Sequence, residues 1–316
     1  MLFYIVRRLL QAIPVLFGIS IIVFLTISLI PGDPATAILG AYATPENVAE
    51  LNRDLGLNHS LPIQYTTWLS GVLQGDFGRS FALNRPVAAE IGDRLGPTAV
   101  LAGTALVLCA IFGLIAGTAA AVNQYGWTDR ILSVVVLIGI STPSFWLGLM
   151  AISLFAVWLD LFPTGDMYSL FGGGGLADLL WHLALPATTL AVVATGVVAR
   201  LTRATVLEVL RQDFVRTARA KGVPESRVIR NHAFRAALPA LIPIVGIQAG
   251  FVIGGAVYIE EVFQWPGMGR MLVGAIGSRD ILLVQGGVLV LASAFVLINL
   301  ATDVIQSALD PRVRHR

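Results

Sequence analysis

Long apolar runs separated by short polar segments make up most of the chain. A helix needs about 20 consecutive apolar residues to cross the hydrocarbon core of a membrane. Six stretches approach or exceed this length, namely residues 9–30, 98–122, 131–159, 183–200, 238–259 and 283–308. The pattern predicts an all-α membrane protein with six transmembrane helices. Small residues dilute the fourth stretch, and because they let helices approach closely, we expect an interior helix there.

The first apolar run follows Arg7 and Arg8, as the core of a secretory signal peptide follows its charged start. The run is about twice as long as such a core, and no small-residue cleavage site stands out after it. We therefore expect residues 9–30 to be a retained first span.

The polar segment at residues 31–97 is long enough to form a small insertion after the first span. Thr44 precedes Pro45, with Glu46 and Glu50 in the following turns, which is typical of a helix start. Strand signals are few, so a short helical cap is predicted outside the membrane. The chain is thus divided into residues 1–97, with one span and the cap, and a transmembrane domain of five helices at 98–316.

Composition supports a multi-pass membrane protein. Hydrophobic residues are 56% of the chain and charged residues 13%, against about 25% charged residues in soluble domains. The net charge of +2 does not indicate a nucleic-acid partner, because the basic residues are not interleaved with exposed aromatic residues. The single cysteine, Cys109, excludes an intramolecular disulfide.

The distribution of Lys and Arg predicts the orientation. Loops on the cytoplasmic side carry an excess of these residues. With the N-terminus inside, 15 of the 21 fall on the cytoplasmic side: Arg7, Arg8, Arg130, nine between Arg200 and Arg235, Arg312, Arg314 and Arg316. The other six are Arg53, Arg79, Arg85, Arg94, Arg270 and Arg279. We expect both termini to be cytoplasmic.

The loop at residues 201–237 is the strongest indication of function. Apolar residues spaced by three and four predict one helix face formed by Val206, Leu207, Leu210, Phe214 and Ala218. Gly222 is expected to end this helix, and Pro224 to begin a second one. A charged helical hairpin of this kind is suited to dock on a soluble motor protein.

The basic residues of this loop have an alternative interpretation as topology determinants. That interpretation is favoured for Arg200, Arg203 and Arg235, which lie near span ends. Docking is favoured for residues 216–222. Arg211 and Asp213 fall between the two.

The loop resembles the cytoplasmic signature of binding-protein-dependent ABC importer permeases, which is Glu-Ala-Ala, three residues and Gly. The matched positions are Arg216, Thr217, Ala218 and Gly222, and the first two depart from the general pattern. The segment at residues 215–222 is similar to the version found in the dipeptide, oligopeptide and nickel subfamily.

Motifs elsewhere in the chain resemble the same subfamily. They are Pro31-Gly32-Asp33-Pro34, Gly75-Asp76-Phe77-Gly78-Arg79-Ser80, Ser141-Thr142-Pro143-Ser144-Phe145-Trp146-Leu147-Gly148, Phe162-Pro163-Thr164-Gly165, Val262-Phe263-Gln264-Trp265-Pro266-Gly267-Met268-Gly269-Arg270 and Leu309-Asp310-Pro311-Arg312-Val313-Arg314. The resemblance covers nearly the whole chain.

This resemblance implies a type I ABC importer permease fold in the bacterial inner membrane. It implies half of a translocation pathway for di- or oligopeptides, completed by a second homologous permease. Two ATP-binding cassette subunits and an extracytoplasmic solute-binding protein are the other implied partners, besides the lipid bilayer. The implied coupling helix contains Arg216, Thr217, Ala218, Arg219, Ala220, Lys221 and Gly222. A nickel chelate, glutathione or another small solute remains an alternative cargo.

The chain itself lacks the sequence of an ATPase. No Gly-x-x-x-x-Gly-Lys-Ser/Thr phosphate loop is present, and the run Gly172 to Gly175 has no following Lys. We expect a transport subunit that is not an enzyme and binds no cofactor, with ATP used by partner subunits.

A few polar residues suggest other roles. His59, His182, His232 and His315 show no helical pairing, so no metal site is expected. Asp303, one turn after Asn299, is a charged residue inside a predicted span and could cap or bridge helices. Glu260 and Glu261 could line a cation-attracting vestibule, or cap the end of the fifth span and contact the binding protein.

The sequence argues against two other functional classes. A self-sufficient secondary transporter would usually need ionisable residues at mid-depth, and the predicted spans are nearly free of them. A membrane enzyme would need paired carboxylates or a histidine cluster at one depth, and none is visible in the sequence.

Overall fold

Helices form most of the protein in the computed structural model, which describes residues 2–28, 36, 39, 43–54, 56, 58–169 and 174–309. The motif at residues 31–34 and the glycines at 172–173 lie outside the described residues. So do residues 310–316, which include three arginines and His315 of the sequence predictions.

The elements follow one another in a simple order. They are α1 (Leu2–Ser28), α2 (Pro45–Asp54), α3 (Leu61–Leu73), β1 (Arg79–Ser80), β2 (Arg85–Pro86), α4 (Val87–Val122), α5 (Trp127–Ser141), α6 (Ser144–Trp158), α7 (Leu176–Leu210), α8 (Asp213–Ala220), α9 (Glu225–Val262), α10 (Met268–Gly277) and α11 (Ile281–Leu309). The last seven residues of α6, Ile152–Trp158, and the segment Val228–Phe234 of α9 are π-helical.

Among the described residues, five helices are long and apolar enough to span a membrane, and α5 with α6 forms a sixth span if the bent pair is counted as one. The two helices meet at an angle of 106°. The span predicted at residues 131–159 therefore consists of two helices separated by a sharp bend. The break follows from Pro143, which forces the preceding Thr142 into extended backbone and offers no N–H to continue the helix.

Helix α7 is the centre of the bundle, as its small residues predicted. In its most apolar window 67% of the residues are buried, against at most 33% in the other single-helix spans. It contacts α4, α5, α6 and α9. Gly117 of α4 lies directly against Thr202 and the Ala199 carbonyl, where a side chain would collide. Small residues thus allow the close helix packing that stabilises a bundle in lipid.

The two ends of the bundle are distinct. We call the end that carries β1 and β2 the hairpin end, and the end that carries the α7–α9 connection the loop end. At the hairpin end, the Ser80 hydroxyl donates to the Asp280 carboxylate at 2.5 Å, just before α11 begins. Asp280 also accepts the Leu283 N–H and so caps α11. The hairpin is therefore tied to the last span.

The predicted insertion contains both helices and a small hairpin. Helix α2 begins at Pro45 as predicted, with the Val48 N–H bonded to the Thr44 carbonyl at 3.0 Å. The antiparallel pair β1–β2 was not predicted, because strands of two residues give no alternating pattern.

Candidate functional site

The loop at residues 211–224 forms a helix and a sharp turn before α9 begins. Gly222 has φ of 76°, the left-handed region that favours glycine. Its N–H donates to the Arg219 carbonyl at 2.9 Å, and the Val223 N–H donates to the Ala218 carbonyl at 3.2 Å. These two bonds form a Schellman motif. The turn at Gly222 and the new helix after Pro224 confirm the predicted boundaries.

The apolar face predicted for one helix is divided between two helices. α7 ends at Leu210 and α8 begins at Asp213, with Gln212 in extended backbone between them. The prediction of one continuous helix from Thr205 to Ala218 was wrong. The other four residues of the predicted face, Val206, Leu207, Leu210 and Ala218, lie in or against one apolar cluster to which both helices contribute.

The buried face of α8 fixes it to the spans. Val215 and Ala218 are buried in a cluster that joins α4, α7 and α9. The other members of the cluster are Ala121, Val206, Val209, Val228, Ala233, Ala237 and Leu241. Because interiors of this kind pack densely, a displacement of α8 is transmitted to three spans.

The opposite face of α8 is exposed. Phe214 belongs to the apolar face predicted from the sequence and is 42% exposed, whereas the neighbouring Val215 is buried. Asp213 and Arg216 form an ion pair at 3.6 Å on the same surface. Lys221 is also exposed. An exposed aromatic side chain surrounded by charges is a typical anchor for a protein partner.

Arg219 braces the turn. Its guanidinium donates two hydrogen bonds to the Glu225 carboxylate, at 2.6 and 3.0 Å. The hydrogen bonds to Glu225 raise the pKa of Arg219 above its ordinary value. Of the predicted coupling residues, Ala218 is thus buried and Arg219 is paired within the loop. Arg216, Thr217, Ala220, Lys221 and Gly222 lie on the exposed surface.

Arg203 joins α7 to α5 at the loop end. It donates to both carboxylate oxygens of buried Asp129, at 2.6 and 2.7 Å. Asp129 also accepts the Tyr125 N–H at 2.9 Å. Arg203 therefore has a structural partner besides any role in topology. Asp129 has no distinguishing signal in the sequence, since a single acidic residue in the first turn of a helix is common.

Asp303 bridges two helices, one of the two roles considered for it. The guanidinium of Arg8 in α1 lies 3.2 Å from its carboxylate. The pair links α1 to α11 near the loop end.

Glu260 caps a helix at the hairpin end. Its side chain is fully buried. One carboxylate oxygen accepts the Thr98 hydroxyl at 2.6 Å, and the other accepts the N–H groups of Gly269 and Arg270 at 2.6 and 3.2 Å. These bonds place the carboxylate at the start of α10, where negative charge is favourable. The structure supports capping for Glu260, while Glu261 is exposed.

Several motifs of the sequence analysis meet around the turn between α9 and α10. The Asp166 N–H donates to the Phe263 carbonyl at 2.9 Å, and Gly165 lies against the same carbonyl. Gly148 of α6 packs against the Phe263 ring. The Trp265 indole N–H donates to the Pro97 carbonyl at 2.9 Å. We call these contacts, together with the Glu260 cap, the hairpin-end contact cluster.

Comparison with known families agrees with this arrangement. Residues 110–315 match the family described as binding-protein-dependent transport system inner membrane component. Residues 1–102 match the N-terminal region of binding-protein-dependent transport system membrane components. The chain belongs to this permease family.

Individual relatives and solved structures are also similar to this ABC permease. The permease is 41% identical to the glutathione transport system permease protein GsiC of Escherichia coli (strain K12) over 316 residues, which is the full length of both chains. It is 40% identical over the same length to the protein of that name from Salmonella choleraesuis (strain SC-B67). The fold is similar to a chain of the inward-facing MetNI methionine ABC transporter, with a TM-score of 0.58 at 20% identity over 70% of this chain and 96% of that one.

The family settles the broad class of the protein. The permease is a multi-pass inner membrane subunit of an ABC importer without an ATPase site of its own, and such a subunit works with ATPase and binding-protein subunits. The alternatives of a self-sufficient secondary transporter and a membrane enzyme are therefore excluded. The structural similarity supports the predicted type I fold.

Proposed function

We propose that this permease forms half of a peptide translocation pathway, that a second homologous permease forms the other half, and that α8 couples it to two ATP-binding cassette subunits. In this proposal the loop end and both termini face the cytoplasm. An extracytoplasmic binding protein delivers the substrate at the hairpin end.

The observation that carries the coupling proposal is the two-sided construction of α8. Its buried face is packed on three spans, and its exposed face presents Phe214 between charged side chains. A docking partner that moves α8 therefore moves the spans with it. Rigid-body displacement of packed helices is a common form of conformational switching.

The basic residues support the proposed orientation. Arg211, Arg216 and Lys221 are exposed at the loop end, and Arg130 lies near the start of α5 at the same end. Concentration of Lys and Arg at one end is typical of the cytoplasmic side.

The proposed cargo is a short peptide. The support is the 41% identity over the full length of both chains to permeases named for glutathione, which is itself a tripeptide. Di- and oligopeptides share its amide backbone and terminal carboxylate. A nickel chelate or another small solute is the alternative.

Replacement of Phe214 by Ala tests the coupling role. Loss of an aromatic anchor typically costs more than about 2 kcal/mol of binding free energy. We expect stimulation of the partner ATPase by substrate and binding protein to fall at least tenfold, with normal amounts of protein in the membrane. The measurement is ATP hydrolysis by the assembled transporter in liposomes.

Trp127→Ala is the matched control, because Trp127 is a more exposed aromatic residue at the loop end and lies outside α8. It should leave the stimulation unchanged. Full stimulation in the Phe214 variant would contradict the docking role.

Uptake by the assembled transporter tests the cargo. Labelled glutathione, labelled dialanine and nickel ions are offered separately to proteoliposomes that contain ATP and receive the cognate binding protein. We expect ATP-dependent uptake of at least one peptide and competition by the other. Uptake of nickel that no peptide inhibits would contradict the peptide proposal.

A further inference from the structure

Helix α3 differs from the polar cap that the sequence predicted. Its 13 residues, Leu61–Leu73, include no Asp, Glu, Lys or Arg. Its exposed surface carries Leu61, Ile63 and Leu73, which are 45%, 50% and 80% exposed. Apolar side chains exposed on one helix indicate contact with a partner or with lipid.

Two hydroxyl groups on this surface, those of Thr66 and Ser70, are satisfied within the helix. The Thr66 hydroxyl is within bonding distance of the Pro62 and Ile63 carbonyls, at 3.0 and 3.1 Å. The Ser70 hydroxyl donates to the Thr67 carbonyl at 2.8 Å. Because these groups already have acceptors, their transfer out of water costs less than that of unpaired hydroxyls.

Contacts with α1 set the position of α3. The Tyr65 ring packs edge-on against Phe17 and Phe24, and the Trp68 ring packs against Phe24. The Tyr65 hydroxyl lies 2.7 Å from Ser20 Oγ, whose own proton goes to the Phe17 carbonyl. Tyr65 is therefore the donor, and α3 is tied to the stretch of α1 between residues 17 and 24.

The depth of that stretch follows from α11, which packs along α1. At the loop end the two helices are paired through Arg8 and Asp303. Toward the hairpin end, Gly286 of α11 lies against Val87 and Ile91 of α4. Glu90, next to Ile91, is paired with two partly exposed arginines, Arg85 and Arg94, so this level is outside the hydrocarbon.

The rise per residue of a helix gives the depth of Phe17 and Phe24 in the membrane. From Asp303 to Gly286 a helix rises ~26 Å, and the same number of residues from Arg8 leads to Leu25 of α1. Phe24 thus lies at the membrane boundary on the hairpin side. Phe17 lies about 10 Å below it. Helix α3 contacts α1 between these two levels, and therefore lies at the depth of helices bound at the membrane interface.

We propose that α3 is an interfacial helix that binds the lipid surface on the hairpin side, with Leu61, Ile63 and Leu73 among the acyl chains. Tyr65 and Trp68 fit this location, because both residues are enriched at membrane boundaries. The helix fastens the insertion to the bilayer beside α1. With the orientation proposed above, the leaflet is the outer one, but the inference itself rests only on the membrane location of the spans.

Nitroxide labels at single cysteines test this position in the transporter assembled with its partner subunits in liposomes. Cys109 is the only native cysteine and is replaced by Ala. Ile63→Cys and Leu73→Cys report on α3, and Leu83→Cys is the matched control. Leu83 is 46% exposed, close to the value for Ile63, but lies in the hairpin beside Arg79 and Arg85. ATP-dependent uptake confirms that each variant is folded.

Collisions with oxygen, which concentrates in lipid, are compared with collisions with a water-soluble nickel chelate. We expect oxygen to dominate at residues 63 and 73, and the chelate to dominate at residue 83. Dominance of the chelate at residues 63 and 73 would overturn the proposal by placing α3 in water. Protection from both reagents would also overturn it, because a protein partner would then cover this face.

Discussion

Single residues in the α8 loop have separate tasks although they are adjacent in sequence. Val215 holds the helix to the bundle, Phe214 faces outward, and Arg219 braces the turn through Glu225. Gly222 provides the backbone conformation that reverses the chain. The signature is therefore a short structural unit in which only part of the sequence is free to contact a partner.

The variant Gly222→Val tests whether the left-handed backbone at this position is needed for transport. A side chain at this position would meet no atom within 4 Å, so the expected effect comes from the left-handed backbone alone. Such strain costs about 1–3 kcal/mol and displaces the turn. We expect uptake to fall at least tenfold while the protein remains in the membrane. Immunodetection in membranes and substrate uptake measure the two effects.

Gly254→Val provides the comparison, because Gly254 in α9 also has open space around it but has no left-handed backbone. Uptake should be largely retained there. Normal uptake by the Gly222 variant would rule out a role for the turn geometry in coupling.

At the scale of elements, hydrophobic patterning predicted the spans but not their full extent. Helix α7 was predicted as residues 183–200, yet it runs from Leu176 to Leu210 because its loop-end turns are covered by α8 and α9. Periodicity also placed Phe214 on the same helix face as buried Val206, since it cannot show that Gln212 interrupts the helix. Contacts between distant segments, such as Asp129 with Arg203, leave no local signal in one sequence.

The Asp129–Arg203 pair joins two elements and can be tested as a unit. We expect Asp129→Ala and Arg203→Ala each to reduce uptake, because each leaves a partly buried charge without its partner. Uptake by the double variant should be no lower than uptake by the more damaging of the two single variants. Coupling of about 0.5–3 kcal/mol is typical of residues in direct contact.

The double-mutant cycle compares the transport rates and the thermal stability of four proteins, which are the wild type, the two single variants and the double variant. Leu176→Ala is a control in α7, because Leu176 is exposed at the opposite end of the helix. Strictly additive losses would show that the pair does not link α5 to α7 functionally.

At the scale of the whole molecule, α8, the helix proposed to dock on a partner, lies at one end of the bundle, and the hairpin tied to the last span lies at the other. The sequence lacks the phosphate loop of an ATPase, and in the proposed function the ATP-binding cassette subunits supply the energy for transport. The family assignment implies ATPase and binding-protein subunits but leaves the composition of the complex as a proposal.

Affinity purification of the tagged chain from its native membrane tests that composition. In mild detergent, we expect to recover one homologous permease and one or two ATP-binding cassette subunits, identified by mass spectrometry. Cross-linking in intact cells before extraction guards against dissociation. Recovery of this chain alone after cross-linking, or of two copies without a second permease, would contradict the proposed heterodimer.

The hairpin-end contact cluster limits how the pathway can open. The Glu260 cap, the Trp265 bond to Pro97 and the Gly165 contact with Phe263 tie segments from four parts of the chain. A crevice between these segments would require several buried polar groups to separate at once, at a cost of about 1–3 kcal/mol for each group left unpaired. This contact cluster therefore has few internal degrees of freedom. In the proposed heterodimer, we expect the surface that separates to admit a substrate to lie along the edge of the cluster, against the second permease.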